Sequence, residues 1–574
     1  MKRSTFRIMS LLLLVALATG VFGVVSAQDG DTLNILYWQA PTNLNPYLSG
    51  GTKEIEAASL VIEPLAHYDE NGVLVPYLVE EIPTVGNGGV SEDLKSITWK
   101  LVDGILWSDG TPLTAEDVIF TWQYCTHPEA GCASSSKYAD VESVEALDEH
   151  TVKITFSVSK PYPYGPFVGS QAPVIQKAQF ADCLGAASQE CTEQNFGPIG
   201  TGPFVVVDFR PNDVVVLDAN PNYREEGKPF FSRAVLKGGG DAESAARAVL
   251  QTGEVDYAWN LQVQFSILDR MEADGLGTIV TAFGPGVERL IVNPTNPDPS
   301  LGPDLRSIWK EDGSNDHPFL TDPAVWKALS MAIDRSVIAE QLYGPAGLPT
   351  CNVLPAPPMF SSTNNDACLV HDIDAANALL DDAGIVDTDG DGVREKDGVP
   401  LSILYQTSTN ALRQNTQALV KQWWEQIGVE VELRNIDASV FFGNDIASPD
   451  TYPKFYADIE MYTNTFDGTD PEVYMGNWKC NEIPGPDNNW LGNNISRFCN
   501  AEYDALAAEL SGTAELERRA EIAIQMNDLL VQNGAMIPLI WRGDISAHSN
   551  TLEGVRMNTW DSELWNVADW TRSG

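Results

Sequence analysis

At 574 residues the chain is too long for one ordinary hydrophobic core, so two or three lobes are expected. Hydrophobic residues make up 43% and charged residues 20%, which fits a soluble globular protein. With 80 Asp plus Glu against 35 Lys plus Arg, the formal charge of -45 argues against nucleic acid and anionic lipid as partners and favours cationic or zwitterionic ones.

The N-terminus reads as an export signal. Lys2, Arg3 and Arg7 form a basic stretch, residues 11–25 form an apolar run, and Val25-Ser26-Ala27 places compact residues where a signal peptidase cuts. Removal of residues 1–27 is expected, with the mature protein periplasmic or on the outer face of the cytoplasmic membrane. No cysteine stands at the cut, so no lipid anchor is expected there, and no later stretch is apolar enough to span a bilayer.

Strand and helix patterns then alternate, which predicts α/β or α+β lobes. Residues 34–38 (NILYW), 98–102 and 151–158 read as strands. Thr114, with Asp117 three residues on, caps a helix. Asp241 opens another, with Ala246, Val249 and Leu250 on one face and Gly253 at its end, and residues 255–259 return as a strand ending in Trp259. In the second half Val325, Leu329, Ala332 and Ile333 form a helical stripe ending near Gly344. Leu412, Leu419, Val420, Trp423 and Ile427 form another, with Trp423 expected inside, stopped by Gly428 and followed by a strand through Val429, Val431 and Leu433.

The eight cysteines fall as near neighbours: Cys125 with Cys132, Cys183 with Cys191, Cys351 with Cys368, and Cys480 with Cys499. In an oxidising compartment an even number suggests disulfides. Eight cysteines allow about 105 pairings, among which local pairing is the expectation. No CxxC occurs, and no histidine stands at ligand spacing beside them, which leaves a metal or redox site without support.

The motifs of common enzyme classes are absent: no HExxH, GxSxG, Walker loop or dinucleotide-binding glycine fingerprint. The SxxK strings at Ser134–Lys137 and Ser157–Lys160 lack the partner motifs of acyl-enzyme chemistry. A glycosidase carboxylate pair has no positive support among so many acidic residues. Asp387, Asp389 and Asp391, with Gly392 for a sharp turn and Val393 for a carbonyl, match the first part of a calcium loop. Gly398 stands where that loop needs its bidentate glutamate. A structural calcium ion and a plain Asp/Gly turn are both compatible with this segment. Trp38 and Trp259 each end a strand pattern, the position at which α/β lobes bind ligands.

Several ordered blocks carry a resemblance over nearly the whole mature chain. Residues 105–118 (ILWSDGTPLTAEDV) look like the signature of the family 5 extracellular solute-binding proteins, the peptide- and nickel-binding receptors of ABC importers. Residues 75–80 (VPYLVE), 200–204 (GTGPF), 220–223 (NPNY), 250–256 (LQTGEVD) and 332–335 (AIDR) are similar to further blocks of that family, in order. Read from the residues alone, these same blocks are turns and helix ends that specify fold rather than contacts.

The resemblance implies a periplasmic-binding-protein-like fold: two lobes, an extra domain in the first, and a two-strand hinge. Residues 28–63, 199–289 and 538–574 would form lobe I, 64–198 its extra domain and 290–537 lobe II, with crossings near 290–293 and 537–541. It also implies a monomer that needs no cofactor, delivers its solute to a membrane permease and has no catalytic residues. In dipeptide receptors of the family an aspartate shortly before an Asp-Pro pair holds the peptide ammonium. Asp467 fits, ahead of Asp470-Pro471, and a carboxylate in a closing cleft suits that task. The arginine those receptors carry after the strand preceding the amphipathic helix is missing, and Arg413 is nearby but displaced. That departure favours a longer peptide, with an oligosaccharide-binding receptor of the same fold and a secreted hydrolase as alternatives.

Overall fold

The computed structural model describes residues 32–443, 445–466 and 468–573. The leader expected at 1–27 and Asp467 lie outside the described residues. The first lobe is laid down by β1 (Thr32–Tyr37), α1 (Thr52–Ser59), the strands β2 (Ser96–Lys100), β3 (Val141–Asp148) and β4 (Thr151–Phe156) with α2 (Ala115–Thr126) between them, then β5 (Phe204–Arg210), β6 (Val214–Ala219), β7 (Arg233–Gly238), α3 (Ala242–Leu250) and β8 (Tyr257–Ala258). A long strand, β9 (Gly277–Val292), leads into the second lobe. That lobe contains α4 (Pro323–Met331), β10 (Ser402–Ser408), α5 (Ala411–Glu425), β11 (Glu430–Ile436), β12 (Ile459–Asn464), α6 (Ala501–Gly512) and α7 (Leu516–Gln532), and β13 (Met536–Ser549) returns to the first.

One sheet runs through both lobes in the order β11-β10-β12-β9-β13-β8-β1-β7-β6-β5, with Gly347–Pro349 added along β13. Strands β2, β4 and β3 form a separate three-stranded antiparallel sheet. The shared strands β9 and β13 are the two crossings. Their antiparallel register breaks between Phe283 and Val287, opposite Gly543 and Trp541. Such an irregularity bends and twists a pair of strands. The crossings expected near 290–293 and 537–541 lie on or next to this pair of strands.

Local chemistry explains most element ends. Thr114 and Asp117 form a reciprocal capping box, with the Thr114 amide 3.0 Å from the Asp117 carboxylate. Asp241 accepts the Ser244 amide at 2.7 Å to start α3. Gly428 takes the left-handed conformation (φ +75°) that stops α5. Gly200 has a steric reason: a Cβ there would stand 1.7 Å from the Val61 carbonyl oxygen.

Two helical expectations need correction. The helix through Val325 ends at Met331 instead of continuing to Gly344, because Asp334 caps a new turn by accepting the Val337 amide at 3.0 Å. The break buries Arg335, which donates to the Cys368 carbonyl at 2.7 Å and to the Pro538 carbonyl at 2.8 Å. On α5 it is Trp424, not Trp423, that is fully buried, its indole nitrogen 2.9 Å from the Leu329 carbonyl, while Trp423 packs at the margin of the core.

In lobe I one hydrophobic core reaches from Leu33 and Ile35 through Trp99 and Trp107 to Trp570, taking in the extra strands, and a second packs α3 on the other face of the sheet. Lobe II has a core on each face of the sheet. The four disulfides join the pairs expected from near-neighbour spacing: Cys125–Cys132, Cys183–Cys191, Cys351–Cys368 and Cys480–Cys499. Among the described residues no helix is long and apolar enough to cross a membrane.

Candidate functional site

A cavity of about 1650 Å³, including the part open to solvent, lies between the lobes. Its lobe I wall is built by α1, by the segments near Ser134 and Ser170, by Trp259 at the end of β8, and by Asp544 to Glu563 of the returning chain. Its lobe II wall consists of Arg413 at the start of α5, Phe442, Tyr452, and residues 462–466 at the end of β12. Strand β10 pairs with β12 only through Ile459–Met461, whereas β9 accompanies β12 as far as Asn464. Asn410 caps α5 and turns the chain away there, so among the described residues no strand pairs with the outer edge of residues 462–464, which line the cleft.

The expected ligand residues have different fates. Trp259 lines the cavity and stacks on Tyr37, with centroids 4.6 Å apart and planes 5° from parallel. Trp38 is not among the lining residues. It follows Tyr37 on the opposite side of the strand, packs in the core against α3, and donates its indole N–H to the Asn260 carbonyl at 2.9 Å. Arg413 lines the cavity, but its guanidinium is gripped by Glu288 through two bonds of 3.0 and 2.9 Å. The serine and lysine of Ser134–Lys137 also line the cavity, donating to the Gln171 carbonyl at 2.6 Å and the Val168 carbonyl at 3.0 Å.

Glu288 organises the hinge side of the cleft. It is fully buried and also takes a bond from Arg542 at 3.2 Å, and Arg542 reaches on to Asp544 at 3.1 Å. Burial alone would push the Glu288 carboxyl up, but the Arg413 and Arg542 guanidiniums beside it hold it below the ordinary glutamate range.

A second charged group was not anticipated. Glu56, Asp544, Asp561 and Glu563 all line the lobe I wall. Glu56 accepts the Glu563 amide at 3.2 Å and the Ser562 hydroxyl. Glu563 takes hydroxyls from Tyr257 at 3.1 Å and Ser546 at 3.0 Å. Asp561 accepts the amides of Tyr68, Ser170 and Ser562 at 3.0, 2.9 and 2.8 Å. Burial first, and then the charges of Asp561 and Asp544, push Glu56 up to about 8, and burial with Glu56 and Asp544 drives Glu563 up as well.

The pH consequence has a definite sign. A carboxyl whose folded value lies above its unfolded 4.5 contributes stability that is complete at acid pH and is lost as pH rises towards 8. The melting temperature of the ligand-free protein should therefore fall between pH 5 and 8, and Glu56→Gln should flatten that slope. Differential scanning calorimetry across the range checks it, and an unchanged slope in the variant would refute the assignment.

The Asp/Gly loop brings together Asp387, Asp389, Asp391 and Glu395, one oxygen of each within 4.8 Å of the others. The Asp387 carboxylate accepts the Gly390 and Gly392 amides at 2.6 and 2.9 Å, and Asp391 accepts the Val393 amide at 2.8 Å. The loop is thus fixed by its own side-chain-to-backbone bonds.

Little in the sequence marks the acidic wall, because Glu56 stands some five hundred positions from Glu563. Glu288 did leave a signal: Glu288-Arg289 interrupts an otherwise apolar strand from Val287 to Val292. A charge pair inside such a strand requires buried partners.

Comparison with known proteins places this architecture. Residues 73–485 match the family model described as bacterial extracellular solute-binding proteins, family 5 Middle. The chain is 22% identical over 547 residues to the oligopeptide-binding protein AppA of Bacillus subtilis, covering 95% of this chain and 92% of that one. It is 24% identical over 528 residues to the periplasmic murein peptide-binding protein MppA of Escherichia coli, covering 87% and 85%. The solved structure of Bacillus subtilis AppA in complex with a nonapeptide superposes with a TM-score of 0.78 at 21% identity, over 95% of this chain and 99% of that one.

Proposed function

The chain belongs to the bacterial extracellular solute-binding proteins of family 5, and from that premise we propose that it is an exported receptor that binds peptides between its lobes and hands them to an ABC permease. The single observation that carries this reading is the unpaired outer edge of residues 462–464 inside the interlobe cavity. A peptide laid along it gains main-chain hydrogen bonds that do not depend on its sequence, as in strand addition generally. Hinge bending at the register break in β9 and β13 would open and close the cleft.

The oligosaccharide reading is weaker. The aromatic rings that line the cavity stack largely on one another or on the core, as Phe466 does on Tyr474 at 4.6 Å and Trp259 on Tyr37. No histidine lines the cavity among the described residues, which weighs against a metal-chelate ligand. Native mass spectrometry of protein purified without denaturation should reveal retained mass that fragments as peptide. A glycan or metal mass, or clear turnover of a peptide or glycan mixture, would overturn the reading.

A further inference from the structure

The charges around the cavity do not balance locally. Each cation that lines it already has a partner: Lys53 has Glu54, Lys137 the Val168 carbonyl, Arg413 Glu288, and Arg542 both Glu288 and Asp544. On the lobe I wall, by contrast, no ion pair reaches Glu56, Asp561 or Glu563 among the described residues; they are held by hydroxyl and amide donors alone. Beneath them lies the Tyr37 hydroxyl, fully buried and without a hydrogen-bond partner among the described residues. Tyr37 in turn stacks on Trp259, which lines the same cavity as the carboxylates. Carboxylates next to an indole face form a receptor for an organic cation, since the ring quadrupole and the acids attract it together.

We propose that Glu56 and Glu563, with the Trp259 ring, form a subsite for a cationic side chain of the bound peptide, and that its arrival expels a proton from this pair. This inference rests on the peptide reading above. In the empty cleft, like charges this close and this buried cannot all ionise, so at least one of them holds a proton. The elevated ranges of Glu56 and Glu563 agree with that state. The groups facing the pair are Tyr37 and Tyr257 from beneath, Ser546 and Asp544 from β13, Asp561 from the returning chain, and Arg542 through Asp544. An incoming ammonium or guanidinium supplies the missing positive charge. The carboxylic acid then ionises, its proton passes to solvent, and the ligand cation remains unchanged in protonation.

The test uses the full-length mature protein and two matched peptide pools of two to nine residues, one containing lysine and the other Nε-acetyllysine at the same positions. Competition binding is followed by calorimetry of a retained peptide, at pH 7, in two buffers of different ionisation heat. The lysine form should bind at least about tenfold more tightly and release up to about one proton per ligand. Glu563→Gln should remove both effects while the acetylated form still binds. Equal affinity for the two pools would overturn the cationic subsite and leave peptide binding intact. Preference for lysine without proton release would overturn the coupling. If neither pool bound, the peptide reading itself would fall. The wild-type comparison and proton count need no variant, so a poorly folding Glu563→Gln would not shield the proposal.

Discussion

Glu288→Gln should lower the unfolding free energy by about 3–5 kcal/mol, the usual cost of removing one partner from a buried ionic group. The carboxylate is fully buried and is shared by Arg413, through two bonds, and by Arg542. The amide keeps the shape but presents one acceptor oxygen and no charge, so two buried guanidiniums lose their common counter-ion. Arg542 retains only Asp544, and its Nε already lacks a partner. Arg413 would fall back on the Ser408 hydroxyl at 3.3 Å. The triad also joins β9, β13 and α5 just beyond the register break, so the variant should loosen the hinge as well as the lobe II core. Urea denaturation followed by intrinsic tryptophan fluorescence measures the loss. A change below about 1 kcal/mol would show that the guanidiniums are solvated through the cavity, as exposed pairs are. Replacing Glu288, Arg413 and Arg542 together with apolar residues should recover part of the loss, because the cost lies mainly in the unpaired charges.

What could be read from the chain, and what could not, follows from the range of the interactions involved. The capping pair Thr114 and Asp117, the Asp241 cap and the Gly428 stop act over three or four residues, so they appear in the sequence and again in the structure. The disulfides close short loops, with separations of 7, 8, 17 and 19, which is why near-neighbour pairing was the natural choice. Phase errors were the first kind of failure. An amphipathic stripe locates the buried face of α5 but not which of two adjacent tryptophans reaches furthest in, and Trp424 takes that place. Trp38 and Trp259 both end strand patterns, yet the alternation of the pleat sends one into the core behind the sheet and the other into the cleft. Distance was the second. The acidic wall and the Glu288 triad are assembled by residues hundreds of positions apart, and no local period reports such a meeting.

Lys160→Met should weaken ligand binding by about 2 kcal/mol or more, roughly thirtyfold, and act mainly on dissociation. Lys160 belongs to the lobe I extra segment and is 8% exposed. Its ammonium bonds Asp140 of the same lobe at 3.2 Å, but also Glu472 and, at 2.6 Å, the Ser511 hydroxyl, both of lobe II. Glu472 is also approached at 3.4 Å by Arg519, whose other partner is Asp470. The chain of charges therefore crosses from one lobe to the other, and it can be complete only while the lobes are together. Methionine preserves length and apolar stem but leaves Asp140 without a cation and Glu472 with only Arg519 at 3.4 Å. Closure then loses one of the links between the lobes, so the closed state is less populated and apparent affinity falls in proportion. Because the Lys160–Glu472 pair is nearly buried, raising salt should not fully mimic the variant, whereas it would if the bridge were superficial. Small-angle scattering of ligand-saturated protein should show a larger radius of gyration for Lys160→Met than for the parent, with unfolding of the free proteins nearly the same. Identical scattering and unchanged affinity would show that the bridge follows closure without favouring it.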